Sequence, residues 1–475
     1  MRTLLAACLS ASSALGNPVV EWHALLLDAI RTDTSNPPLA SRHLAMLSAS
    51  LFDSINASHP THQSYLPPPE VPSEASAEAA VLGAGRELML SLHPGFRGRI
   101  EALAERQRAA LGAAPGVVAG LDLGRTVAMR MLAARSADGS NTEIPYIPKS
   151  DAGQWRRTPP FFRPPLSPHW GRVTPFCLPG LDAFRAPPPP ALGSPDYAAA
   201  LNEVKRLGGT ASTARTPEQT VIARFWSDFS YTAMPPGHWT EIASAIAVER
   251  RLDLAETARL LALVDLSQAD AAIVCWDIKY RWNLWRPVTA IQRAGEDGNP
   301  GTEADPAWEQ LLPSPPFPAY TSGHSTFSAA AARVLTGFFG TDSLSFTAHS
   351  DTLTNVTRHF TSVAACADEV GMSRIYGGIH FPFDNTEGKR SGERIGRHVV
   401  QHYLLPLQSL PLLLPEDPSS DSVRLRAHGP VGRPLRIERS ADQIHWTRQT
   451  NGTGIPGGFP VDTVPGGFYR AVSAD

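Results

Sequence analysis

Three short stretches of the sequence carry side chains that bind anions and move protons. The first is Lys279-Tyr280-Arg281-Trp282-Asn283-Leu284-Trp285-Arg286-Pro287. Lys279 and Arg286 are seven residues apart, which on one continuous helix puts both cations on one face, two turns apart. Pro287 favours a helix end nearby. The second stretch is Pro318-Ala319-Tyr320-Thr321-Ser322-Gly323-His324-Ser325-Thr326, ahead of an alanine-rich run. Proline, hydroxyl residues and glycine in that order signal a helix N-terminus, whose free N–H groups and positive dipole end favour an anion. Gly323 permits close backbone approach, Ser322 offers a hydroxyl, and His324 faces the same point. The third is Ser373-Arg374-Ile375-Tyr376-Gly377-Gly378-Ile379-His380-Phe381-Pro382-Phe383-Asp384. There the glycine pair breaks one helix and Pro382 fits the first turn of the next. His380 falls at the junction, within reach of Asp384.

Each stretch alone also has a plain structural account: a basic patch with snorkelling stems, an ordinary cap by Thr321 or Ser322, a satisfied loop histidine. Taken together they supply Lys279, Arg286, Arg374, the Ser322 hydroxyl, the Gly323 N–H and two histidines. Such a cage, charged near +3, matches a tetrahedral oxyanion such as phosphate or vanadate. Three cations held close repel one another by about 1–4 kcal/mol per pair, and a bound oxyanion relieves this. Arginine's planar fork suits oxyanion edges. A neutral histidine nitrogen can bond the central atom as metal ligand or as nucleophile.

The pattern Lys-x6-Arg-Pro, then Ser-Gly-His, then Ser-Arg-x5-His-x3-Asp resembles the vanadium-dependent haloperoxidases. That family shares its signature with the type 2 phosphatidic acid phosphatases and bacterial class A acid phosphatases. The resemblance implies vanadate as cofactor, with His380 as its metal ligand. Lys279, Arg286, Ser322, the Gly323 backbone and Arg374 hold its oxygens. His324 is the acid–base partner, Lys279 polarises bound peroxide, and Asp384 orients His380. Thr321 departs from the proline usual at that position, which loosens the turn and removes no ligand. Phe317 stands where chloride-oxidising relatives carry phenylalanine and, with Trp285, marks a halide pocket. The implied reaction is Lewis-acid chemistry in which hydrogen peroxide oxidises a halide to hypohalous acid equivalents, for transfer to a small organic acceptor. In an acid phosphatase of the same superfamily phosphate replaces vanadate, His380 is the nucleophile and His324 the leaving-group acid. About 260 residues ahead of the first motif, and the residues Trp285 and Pro318-Ala319-Tyr320, favour the peroxidase. A reading from another class is a non-catalytic secreted protein that binds oxyanions or surfaces.

The elements that must position these residues are helical. Trp22, Leu25, Leu26 and Ile30 fall at helical spacing, as do Leu44, Leu47, Leu51 and Ile55. The expected class is mainly α: a large helical-bundle, haloperoxidase-like domain over 17–410. Within it, helices are expected over about 253–285, from about 323, over roughly 352–372, and from Phe381 toward Leu405. Between about 140 and 195 prolines forbid regular helix. Trp155, Phe161, Phe162, Trp170 and Phe176 there suggest a loop packed on the body. A linker (411–422) leads to a small β-rich module (423–475), where Leu435-Arg436-Ile437-Glu438 alternates with period two. Residues 1–16 read as a signal peptide, hence a secreted or periplasmic protein.

Composition bounds the rest. The 475 residues carry 42 Lys+Arg and 45 Asp+Glu, a net charge of −3, so no global basic field exists for nucleic acid or an anionic surface. Any anion site is then a local concentration of cations. No stretch beyond the leader approaches the ~18–20 apolar residues of a membrane span. Cys177, Cys275 and Cys366, with Cys8 in the leader, make neither a disulfide framework nor a spaced zinc site. Asp270 and Asp277 are candidates to buttress Lys279 or an arginine. Self-association is left open.

Overall fold

The computed structural model describes residues 16–71 and 74–407, and six strand segments between 412 and 473. The leader read over 1–16 lies almost wholly outside the described residues. Five helices come first: α1 (Pro18–Asp33), α2 (Pro37–Ser58), α3 (Ala77–Leu92), α4 (Arg97–Leu111) and α5 (Val117–Ala134). After an irregular stretch come α6 (Pro195–Gly208), α7 (Pro217–Phe225), α8 (Met234–Glu249), α9 (Leu254–Trp282) and α10 (Pro287–Gln292). Then follow α11 (Gly323–Phe339), an antiparallel hairpin of β1 (Phe346–His349) and β2 (Thr357–Phe360), α12 (Val363–Tyr376) and α13 (Pro382–His402). The expected mainly helical class holds. The helix expected over 352–372 does not: Thr357–Phe360 is strand, and the helix begins only at Val363, where the Ser362 hydroxyl caps it.

α9 is the axis. Its 29 residues make a rod about 43 Å long, and its side chains from Leu260 to Trp276 are buried on every face, the mark of a central helix. It packs on α2, α8, α11 and α13. Asp253 and Glu256 close a reciprocal capping box at its start. It ends at Trp282 rather than near 285, because Asn283 takes the left-handed conformation (φ 51°) and donates its N–H to the Lys279 carbonyl. Asp270 and Asp277 face the proline-rich segment rather than Lys279. Asp270 accepts the N–H groups of Phe176, Cys177 and Leu178 at 2.6–3.1 Å, and Asp277 pairs with Arg185. Trp155, Trp170 and Phe176 are buried as expected, whereas Phe161 and Phe162 stand in solvent. Cys177, Cys275 and Cys366 are buried free thiols.

α11 and α13 pack against each other closely. Gly388, Gly392 and Gly396 repeat every fourth residue on α13, which aligns them on one face. A Cβ at Gly392 would lie 2.2 Å from the Thr326 carbonyl oxygen, and one at Gly396 2.4 Å from that of Ala330. This contact locks the junction before α13 to the start of α11. Gly392→Ala is expected to destabilise the protein by about 2–3 kcal/mol through overpacking, measured by urea unfolding; an unchanged midpoint would show that the helices can separate freely.

In the C-terminal region, strands β3 (Leu412–Pro415), β4 (Leu425–His428) and β7 (Phe459–Val461) form one antiparallel sheet in the order β3-β4-β7. β6 (Thr447–Thr453), β5 (Pro434–Ser440) and β8 (Phe468–Ser473) form another in that order. Ala427, Val461, Ile437 and Ala471 make a small core between them. Leu412–Pro415, in the stretch read as linker, is therefore strand; the remainder of 411–422 lies outside the described residues. Among the described residues no helix is long and apolar enough to cross a membrane.

Candidate functional site

The three motif stretches meet at the C-terminal end of α9, the start of α11 and the junction before α13. Lys279 sits in the last turn of α9. Arg286 does not share that helix, as the seven-residue spacing had suggested: it precedes α10, beyond the break at Asn283. The two converge nonetheless, because both bind the backbone of 317–321. The Lys279 ammonium donates to the carbonyls of Pro318 (2.9 Å), Ala319 (3.0 Å) and Thr321. Arg286 donates from Nε to the Phe317 carbonyl (2.8 Å) and from Nη1 to that of Ile379 (2.8 Å). The Phe317 ring lies beneath both cations, 5.0 Å from Lys279 Nζ and 4.9 Å from Arg286 Cζ. Trp285 turns away from them: its indole N–H bonds the Tyr197 hydroxyl at 2.9 Å.

The histidine junction follows from local chemistry. Gly378 (φ 75°) turns the chain against Gly208, where a Cβ would lie 2.3 Å from the Gly208 carbonyl oxygen. Pro382 opens α13, and Asp384 Oδ2 accepts both the Phe381 N–H (3.0 Å) and His380 Nδ1 (2.9 Å). Arg286 Nη1 lies 3.1 Å from His380 Nε2. An arginine only donates, so Nε2 must be the acceptor and Nδ1 carries the proton. The ring is thus neutral, with its lone pair turned into the cage. Burial and then Arg286, Lys279, Arg374 and His324 hold its pKa well below the usual value. Burial pushes the Asp384 carboxyl up, against the opposing pull of the Phe381 N–H, Lys279 and Arg286.

Ser322 caps α11, accepting the Ser325 N–H at 3.3 Å, and its own N–H donates to the Asp384 carbonyl at 3.0 Å. Arg374, on α12, donates from Nη1 to the Trp226 carbonyl at 2.6 Å. Lys279, Arg286 and Arg374 are fully buried, and among the described residues none makes an ion pair. Burying three cations without carboxylate partners is costly. Burial brings the Arg286 pKa down to about 9 and that of Arg374 to about 10. Moreover, Arg286 Nη2, Arg374 Nε and Nη2, and His324 Nε2 are buried with no hydrogen-bond partner. Orphaned donors gathered round a histidine lone pair fit a tetrahedral oxyanion. They do not fit a bare metal ion, and among the described residues no cluster of three or more His, Cys, Asp or Glu could hold one.

One group went unseen in the sequence. Asp228, in the loop between α7 and α8, points Oδ2 at His324 Nε2 (3.6 Å) and Oδ1 at His238 Nδ1 (3.2 Å). It takes a left-handed backbone (φ 43°), which aspartate tolerates. The same loop supplies the Trp226 carbonyl that fixes Arg374. No spacing links it to the motifs; only Trp226-Ser227-Asp228, aromatic then acidic ahead of a turn, hints at a built site.

His324 tests the electrostatics directly. Burial, then Arg374, hold its pKa down to about 4. A dianion in the cage offsets Arg374 and raises that pKa. Sulfate binding between about pH 4.5 and 6.5 should therefore take up protons, read by titration calorimetry in buffers of different ionisation enthalpy. Binding without proton uptake would separate His324 from the anion.

The chain is similar to known proteins. Residues 259–408 match the model of the VCPO second helical-bundle domain. The vanadium chloroperoxidase of Curvularia inaequalis is 29% identical over 287 residues, 47% of this chain and 46% of that protein. The chain thus spans about half the length of the curated relative it matches. A bacterial vanadium-dependent iodoperoxidase structure superposes with a TM-score of 0.72 at 29% identity, over 82% of this chain and 98% of that one. A holo-type bacterial vanadium-dependent chloroperoxidase shares the fold, with a TM-score of 0.61 at 18% identity over 77% of this chain and 92% of that one.

Proposed function

We propose that this chain, which belongs to the vanadium-dependent haloperoxidase family, oxidises halide with hydrogen peroxide by means of a vanadate ion held in the cationic cage. The observation that carries the reading is the set of orphaned arginine donors gathered round the neutral His380 lone pair. Arg286, Arg374, Lys279, the Ser322 hydroxyl and the Gly323 N–H would hold the vanadate oxygens, and His380 Nε2 would bond the metal. When bound, vanadium(V) supplies Lewis-acid activation of peroxide without changing its own oxidation state.

The chain's own residues do the rest. Asp384 fixes the His380 tautomer, so that Nε2 carries the lone pair; bonding the metal would require it to give up its hydrogen bond from Arg286 Nη1. His324, neutral in the empty cage, accepts a proton from incoming peroxide, and Asp228 stabilises the imidazolium that results. The buried guanidinium groups are preorganised, so they stabilise negative charge on the oxyanion without reorganising solvent. Lys279 has three donors, and all three are engaged by carbonyls; contact with an oxygen of the cofactor requires it to release one. Phe317, beneath the two cations, is assigned to the halide side. Trp285, turned toward Tyr197, is not.

The same cage would take phosphate, and a phosphatase would use His380 as nucleophile. Orthovanadate added to the purified chain, followed by peroxide-dependent bromination of a dye and, separately, hydrolysis of an aryl phosphate, distinguishes the two. Bromination is expected. Hydrolysis that vanadate inhibits, without bromination, would make the chain a phosphatase. Oxyanion binding with neither activity would make it a binding protein.

A further inference from the structure

The chain exposes eight large hydrophobic side chains among its described residues, and three of them fall in one segment: Ile147, Phe161 and Phe162, at 84%, 65% and 57% exposure. The two phenylalanines are adjacent, and their exposure is the point at which the loop departs from the packed form its aromatic content suggested. Phe162 moreover holds φ at 47°. A bulky side chain rarely adopts that backbone, and such strain persists where the surroundings over-determine it, often at functional sites.

The surroundings do determine it. The Phe162 N–H donates to the Thr158 carbonyl at 3.0 Å, and Gln310 donates to the Pro159 carbonyl at 3.2 Å. Leu166 donates to the Pro316 carbonyl and accepts from Trp276 Nε1 and the Tyr280 hydroxyl. Upstream, Trp155 N–H bonds the Asn283 carbonyl, and Tyr146 packs on Trp155 and Tyr280. The segment is therefore preformed on the end of α9, and ordering it on binding costs little.

Its charge runs against the chain's. Residues 146–166 hold four cations (Lys149, Arg156, Arg157, Arg163) and one carboxylate (Asp151), a net of 4 − 1 = +3 in a chain of net −3. Among the described residues none of the four makes an ion pair. The Arg163 guanidinium lies over the Phe161 ring, 5.7 Å from its centroid, and Arg157 is exposed.

We propose that this segment is a docking surface for an anionic lipid bilayer: Phe161 and Phe162 enter the boundary between headgroups and acyl chains, while Arg157 and Arg163 stay at the level of the lipid phosphates. Adjacent rings beside guanidinium groups suit that layered environment, where one end is apolar and the other wet and anionic. The assignment does not depend on the chemistry of the cage.

The test is co-sedimentation of the full chain with vesicles of phosphatidylcholine alone, or of phosphatidylcholine mixed with an equal part of phosphatidylglycerol. Binding is expected on the anionic vesicles, weakly if at all on the neutral ones, and falling as salt is raised. Phe161→Ser with Phe162→Ser should weaken it at least about tenfold, and Arg157→Gln with Arg163→Gln roughly thirtyfold. Tyr231→Ser, at an exposed aromatic elsewhere, should leave it unchanged. The proposal is overturned if the chain ignores anionic vesicles, binds both kinds equally, or binds undiminished without the phenylalanines. Self-association lost with the phenylalanine pair, in a chain that does not bind vesicles, would also overturn it and assign the patch to a second copy. A raised KM for an organic acceptor without vesicle binding would overturn it in favour of a substrate site.

Discussion

His380→Ala is expected to abolish vanadate-dependent bromide oxidation, lowering turnover by more than about 10³-fold while the protein stays folded. The magnitude rests on what the ring alone provides. Among the described residues, His380 is the group whose lone pair is aimed at the cage by its tautomer: Nδ1 is committed to Asp384, and Nε2 accepts from Arg286 Nη1, a bond that the central atom of a bound oxyanion would replace. Removing one preorganised oxyanion donor costs about 10²–10³ in rate, and removing the bond to the central atom should cost more. The fold should tolerate the change, since Asp384 Oδ2 retains the Phe381 N–H. The loss is measured by peroxide-dependent bromination with saturating vanadate, alongside unfolding by urea and partial rescue by free imidazole. Activity within tenfold of the parent would show that His380 does not bond the cofactor.

The contrast between His380 and Asp228 shows what the sequence makes legible. His380, Asp384, Ser322 and Gly323 sit at helix boundaries written in glycine, proline and hydroxyl residues, so local chemistry both flags and orients them. α9 was equally legible, because a long apolar run with a capping box has few alternatives. Asp228 has no such mark: it reaches His324 only because a loop with left-handed residues folds against the 350–352 turn, where the Asp351 carboxylate accepts the Ala233 N–H. The β1–β2 hairpin was misread because Leu353, Val356 and Phe360 mimic helical spacing, and four-residue strands have too little length to assert alternation. The true end of α9 at Asn283 was hidden by Pro287, a stronger helix-ending signal four residues later. Arg286 consequently reaches His380 from a different element than periodicity implied.

Lys279→Met should lower stability and turnover together, and the pairing of the two losses is the informative result. The ammonium is fully buried and bonds three successive-loop carbonyls, those of Pro318, Ala319 and Thr321. Methionine fills similar volume but donates nothing, leaving three carbonyls without that partner in a dry interior. Each unsatisfied group costs about 1–3 kcal/mol. Part of the total is offset because a buried cation, whose pKa burial lowers, is no longer desolvated. A net loss of about 2–4 kcal/mol follows, read as a lower urea midpoint. The same carbonyls belong to the loop that presents Ser322, Gly323 and His324, so loosening it also misaligns the acid–base side of the cage. Turnover should fall by about 10²–10³-fold. A lysine that only touched the oxyanion would give lost turnover at unchanged stability; one that only clamped the loop would give lost stability with activity retained once folded. If the variant instead keeps both its unfolding midpoint and its activity within tenfold, Lys279 neither holds the loop nor serves the reaction.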